Sequence, residues 1–155
     1  MKHGKIIGIL LVICIAITFL GVASAAEVVV NGEKFNLPDD FKKDEEASTV
    51  EKTSTGTDEN IIYGNGIDFV TFAISSLNSG TPNLPSGDNY TDKTIKGFEG
   101  KYRADDGYGN EEFTYINNNK LIMIYITPDS NVTFEDIIIE STSGGDSGSP
   151  FNLFG

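Results

Sequence analysis

Lys120-Leu121-Ile122-Met123-Ile124-Tyr125-Ile126-Thr127 and, a few residues later, Thr133-Phe134-Glu135-Asp136-Ile137-Ile138-Ile139 decide the fold class. The first run is apolar on both parities, and a strand of that kind needs cover on both faces, so its place is central in a sheet. In the second, Thr133 and Asp136 have the spacing of a helix capping box, with Val132 and Ile137 placed for a hydrophobic staple. Phe134, Ile137, Ile138 and Ser141 then share one helical stripe. These features predict a short helix from Phe134 to about Thr142. The β-branched run Ile137-Ile138-Ile139 offers a competing strand. Together they predict an α+β fold: an antiparallel sheet of about five to seven strands with one short C-terminal helix packed on a face.

Working outward, Asn31-Gly32 stands between Val28-Val29-Val30 and Lys34-Phe35-Asn36-Leu37, and this dipeptide readily takes the positive φ values of a two-residue hairpin turn. Residues 39–60 turn to Lys, Asp, Glu, Ser and Thr, which predicts a mobile acidic connection or an exposed helix over Phe41 to Val50. A second hairpin is expected around Gly64-Asn65-Gly66, with Val70, Phe72 and Ile74 on one face of its long arm and Ile67 and Phe69 on the other. Asn78 to Asp92 is a loop. Thr94 to Arg103 reads as one strand with a bulge or close approach at Gly97 and Gly100. Asp105 to Asn110 and Asn117-Asn118-Asn119 are turns that bracket a further strand.

The 155 residues suffice for one domain, with 39% hydrophobic and 22% charged residues, but the apolar ones are unevenly spread. Met1 to Lys5 is basic, Ile6 to Val22 is almost uninterruptedly apolar, and Ala23-Ser24-Ala25-Ala26 supplies small residues of the kind an export peptidase accepts. Residues 1–26 therefore read as a signal peptide cleaved near Ala25 or Ala26. The rival is an uncleaved anchor, since the 18 residues from Ile6 to Ala23 sit at the lower limit for a membrane span. Both versions place residues 27–155 outside the cell, secreted or at its surface. Cys14 has Ile13 before it and lies in mid-block, a poor match to a lipid-attachment site.

Lys and Arg total 11 against 23 Asp and Glu; without Lys2 and Lys5, nine cations face 23 acids, a net charge of −14 for residues 27–155. Such a surface repels phosphate backbones and anionic headgroups, which excludes nucleic acid as a partner and leaves membrane contact only to residues 6–23 of an uncleaved leader. His3 and Cys14 are the only histidine and cysteine, both inside the leader. Downstream there is no thiolate, no disulfide, no imidazole base and no zinc site of nitrogen and sulfur ligands. No cofactor is expected.

Several strings resemble functional motifs. Gly145-Asp146-Ser147-Gly148-Ser149-Pro150 is similar to the nucleophile motif of chymotrypsin-like proteases, yet no histidine is available to activate the serine. Asp146-Ser147-Gly148 also resembles the aspartic-protease triplet, but Gly144-Gly145 stands where a burying strand is required. Residues 143–155 instead read as a flexible Gly/Ser tail. Asp105, Asp106, Asn110, Glu111 and Glu112 can offer oxygens to Ca²⁺, without the alternate spacing of an EF-hand loop; a turn has the same composition. Asn89-Tyr90-Thr91 and Asn131-Val132-Thr133 are N-glycosylation sequons, with Asn89 the better candidate. Phe69, Phe72, Phe98, Tyr102, Phe113, Tyr115 and Tyr125 read as core sooner than as a pocket.

The order Asn31-Gly32 with Phe35-Asn36-Leu37-Pro38, then Lys93-Thr94-Ile95-Lys96-Gly97-Phe98-Glu99-Gly100-Lys101-Tyr102, then Phe113-Thr114-Tyr115-Ile116 and the late Asp136-Ile137-Ile138 resembles small exported proteins of methanogenic archaea whose role is not established. This resemblance implies a compact α+β domain over residues 27–142 at the cell surface; it carries no catalytic motif. The function expected is a non-catalytic binding module whose partner is an envelope or surface component. The alternatives are a carrier of an apolar small molecule between sheet and helix, and a hydrolase working through carboxylates alone.

Overall fold

Three two-residue turns set the architecture, and each has positive φ at both central residues: Asn31-Gly32 (49° and 77°), Lys96-Gly97 (50° and 84°) and Asn118-Asn119 (49° and 60°). That backbone matches the right-handed twist of paired strands, so each closes a hairpin. The computed structural model describes residues 25–140. The first turn joins β1 (Ala25–Val30) to β2 (Glu33–Pro38). β3 (Lys42–Lys52), β4 (Gly56–Gly64) and β5 (Phe69–Leu77) follow. The second turn joins β6 (Thr91–Ile95) to β7 (Phe98–Arg103), and the third joins β8 (Glu111–Asn117) to β9 (Lys120–Ile126). A single helical turn, α1 (Phe134–Ile137), comes last.

β1 and β2 form a two-stranded sheet, and the other seven strands form a second sheet in the order β3-β4-β5-β9-β8-β7-β6, antiparallel at every pairing. β9 is central, between β5 and β8. Across the large sheet the register lines up Ile61, Phe72, Ile124, Phe113 and Tyr102 in one row. Ile74, Ile122, Tyr115 and Gly100 form the next. Onto this face pack Val30, Phe35 and Leu37 from the β1–β2 hairpin together with Val132, Phe134, Ile137 and Ile138, which makes one core. Gly100 is required there: a Cβ at that position would stand 2.3 Å from the Thr114 carbonyl oxygen and 2.9 Å from the Phe113 ring.

Four expectations are corrected. The fold is not α+β but almost entirely β, nine strands in two antiparallel sheets with one helical turn among the described residues. The capping box forms as expected, yet Ile138 leaves the helix with extended φ and ψ (−77°, 124°) and makes a bridge to Phe35 of β2. One turn thus goes to the capping signal, and the β-branched run that follows is drawn to an open strand edge. Residues 39–60 are neither connection nor helix: they hold β3 and the first part of β4. An edge strand needs pairing on one side and no buried face, so its polar composition mimics that of a loop; its charges also deter further pairing. Thr94 to Arg103 is a hairpin, with Gly97 in its turn.

β3 changes register between Asp44, opposite Ile62, and Thr49, opposite Asn60. There the Asp44 carboxylate accepts from the backbone N–H groups of Glu46 and Ala47, and the Ser48 hydroxyl accepts from Ile62 N. The long loop from β5 to β6 is tied at both ends: Asn119 Nδ2 donates to Gly80 O, and Tyr90 OH to Glu112 Oε1.

Candidate functional site

Alternation along β2 sends Glu33, Phe35 and Leu37 inward, and alternation along β9 sends Lys120, Ile122 and Ile124 to the same core. One carboxylate and one ammonium therefore meet where the β1–β2 turn lies on the β8–β9 turn. Lys120 Nζ stands 2.9 Å from Glu33 Oε1, with the two side chains 19% and 8% exposed. Asn117 Nδ2 donates to Glu33 Oε2 at 2.7 Å and Asn118 Nδ2 to Oε1 at 3.1 Å. Lys120 Nζ also donates to the Asn31 carbonyl at 2.5 Å, while Asn31 N donates to Glu59 Oε2. Burial pushes the Glu33 carboxyl up, but the hydrogen bonds from Lys120, Asn118 and Asn117 outweigh it and hold the group below the usual carboxylate range. The Asn31 side-chain nitrogen Nδ2 is buried without a hydrogen-bond partner, alone in this among the side-chain nitrogens and oxygens of the described residues.

A second polar cluster occupies the opposite face of the large sheet. Glu112 is buried and pairs with Arg103, and its Oε1 accepts from Thr114 Oγ1 at 2.7 Å. The Arg103 guanidinium lies over the Tyr90 ring at 4.9 Å, a cation–π contact that fixes the end of the loop. Nearby, burial and the Glu112 charge push the Tyr125 hydroxyl up to about 12. Glu33 and Glu112 each have their own cation and lie in separate clusters; Asp68, also buried, forms no ion pair among the described residues.

Open surface hollows of 260 to 350 Å³ surround these elements. One lies between β2 and α1 and is lined by Ala25, Leu37, Pro38 and Val132 with Asn36, Asn131 and Asp136. The space between the sheet and the hairpin is filled: Phe35 and Phe72 stack with centroids 4.3 Å apart, and Phe134 lies 5.9 Å from Phe113.

The sequence-predicted residues fall as follows. Asp105 Oδ1 accepts from Gly107 N and Gly109 N, and Asp106 Oδ1 accepts from Tyr108 N and Asn110 N. Asn110 Nδ2 donates to Asp106 Oδ2, and Glu111 accepts from Tyr102 OH. These oxygens hold the turn instead of converging on a point, and Glu112 turns to Arg103. Among the described residues no three His, Cys, Asp or Glu side chains group as a metal-binding set. Asn89 and Asn131 are both exposed; the Thr133 hydroxyl of the second sequon is bound to Asp136 Oδ2. Ala25 and Ala26 pair with Pro38 and Leu37 at the open end of the first hairpin. Of the aromatic set, Phe72, Phe113 and Tyr115 are core, whereas Phe69 is exposed. Residues 1–24, the 143–155 tail and its Asp146-Ser147-Gly148 string lie outside the described residues. Among those described, no helix is long and apolar enough to cross a membrane.

Sequence reasoning misses Glu33, Lys120 and Arg103: Glu33 and Lys120 pair across 87 positions, and Arg103 pairs with Glu112 nine positions on. One usable signal existed: a lone charge at an inward position of an apolar alternation, which is where Glu33 and Lys120 stand. No family model, curated protein or solved structure matches the chain. The resemblance to exported methanogen proteins therefore rests on the quoted residues alone.

Proposed function

We propose that the protein is an exported, non-catalytic binding module that acts in the cell envelope or outside it. The observation that carries this reading is the separate neutralisation of the two most extensively paired buried carboxylates, Glu33 by Lys120 and Glu112 by Arg103. A carboxylate-only hydrolase needs two acids facing one another in a cleft with opposed proton affinities. The aromatic packing of Phe35 on Phe72 likewise weighs against a carrier whose ligand lies between sheet and helix. Export rests on the leader, and the non-catalytic reading rests also on the absence of His and Cys after it. The partner then faces a strongly acidic surface, so its recognition is salt-sensitive. Of the two sequons, Asn89 is favoured for a glycan, since the cap holds the Thr133 hydroxyl.

Cell fractionation with intact-mass measurement tests this. The expected result is a chain beginning near Glu27 in the extracellular or envelope fraction, cleaved by protease added to intact cells. Full-length chain in the soluble cytosol overturns it.

A further inference from the structure

We infer that Lys120 and Asn31 become joined by an intramolecular amide, made by the chain on itself with Glu33 carrying the proton, which fastens the β1–β2 hairpin to the large sheet. Three observations converge. Lys120 Nζ lies over the first turn, 2.5 Å from the Asn31 carbonyl oxygen and 3.5 Å from where a Cβ on Gly32 would stand. Glu33 Oε1 is 2.9 Å from the same nitrogen. The Asn31 side-chain amide nitrogen is buried and bonded to nothing.

The chemistry balances without any outside reagent. Lys120 gives a proton to the Glu33 carboxylate and becomes a neutral amine, the state in which lysine is a nucleophile. Its nitrogen attacks Asn31 Cγ, forming the new C–N bond; the Glu33 proton passes to Nδ2, the Cγ–Nδ2 bond breaks and ammonia departs, while the surplus proton on the attacking nitrogen goes back to the Glu33 carboxylate, leaving a neutral amide. Asn31 Cγ hangs from the same Cα as the carbonyl already touching Nζ, so rotation about Cα–Cβ sets the approach. Asn117 and Asn118 lie close too, but their amide nitrogens donate to Glu33 and steady it. The Asn31 amide loses no hydrogen bond when it leaves.

Among the groups around the site are Glu59, which accepts from Asn31 N, and the buried Tyr115 phenol, whose ionisation burial and Glu33 oppose. The resting pair is an ion pair that must exchange a proton before the nitrogen can attack, so closure is slow beside folding. The product closes a loop between residues 89 apart in a chain with no cysteine after residue 26, giving an exported domain a covalent brace immune to reduction.

Intact mass of the folded full chain, after incubation at mildly alkaline pH, is the test. The expected mass is about 17 Da below that of the sequence present, the ammonia lost in amide formation. Proteolysis should release a branched peptide joining Asn31 to Lys120. Lys120→Arg keeps a cation against Glu33 and should restore the sequence mass while unfolding cooperatively at lower temperature; Glu33→Gln should also restore it. An unshifted wild-type mass in a cooperatively folding sample overturns the proposal. So does a mass loss that survives in Lys120→Arg and is opened by hydroxylamine, which marks a succinimide at Asn31-Gly32. A branch at Asn117 or Asn118 overturns the assignment to Asn31.

Discussion

Phe35 of β2 and Phe72 of β5 lie with ring centroids 4.3 Å apart at 31°, and both side chains are wholly buried. This contact joins the small sheet to the large one. Truncation leaves a cavity where two rings met. Phe35→Ala is expected to lower stability by about 4 kcal/mol and Phe35→Leu by about 1 to 2. Denaturant unfolding checks both, with m unchanged if only packing is lost.

Acid should weaken the same joint by another route. The Glu33 carboxyl is held below its ordinary value of 4.5, so it contributes stability above that pH, lost as pH falls through the folded-state value. In freshly folded protein, with Lys120 still a free ammonium, denaturant midpoints measured from pH 6 downward should show this loss in the wild type and not in Glu33→Gln. At pH 7 that variant leaves the half-buried Lys120 without its anion and should cost about 2 to 3 kcal/mol. Equal stability of the two proteins at pH 7 would refute the pairing argument.

At the alkaline end the sign reverses. Tyr125, raised by burial from 10 to about 12, stabilises the fold below pH 10, and the contribution disappears as pH rises through 12. Tyr115 is raised as well, by its burial and by Glu33. Absorbance of the tyrosinates should rise late for these two residues, in step with unfolding, and the late component should shrink in Tyr125→Phe.

Gly100→Ala should be far worse than Gly107→Ala. The first puts a methyl 2.3 Å from a backbone oxygen in the sheet, an overpacking expected to cost about 3 kcal/mol. The second has open space and only a positive φ of 97° to resist it, costing about 1 kcal/mol. Thermal midpoints of the two variants rank the effects.

The legible part of this fold is the part governed by neighbouring residues. Asn31-Gly32, the inward set Val70, Phe72 and Ile74, and the Thr133–Asp136 cap are local, and all appear. What failed was length and class. The Thr133 cap specifies a helix start, but the stopping point was set by Phe35, roughly a hundred residues earlier, which offered Ile138 an edge. Likewise β3 carries the composition of a loop because its partner β4 supplies all the pairing it needs. Glu33 and Lys120 escaped notice for the same reason: nothing near either one announces the other.

The β5–β9 pairing, which sets Val70 opposite Ile126, has a kinetic consequence. Hairpins closed by two-residue turns assemble in microseconds, whereas joining β5 to β9 must first bring together partners 44 to 56 positions apart. Assembly of this chain is therefore paced by its middle. Until that seam zips, the apolar sides of β5 and β9 stand uncovered, and the interval is the one in which a chaperone would have most to do.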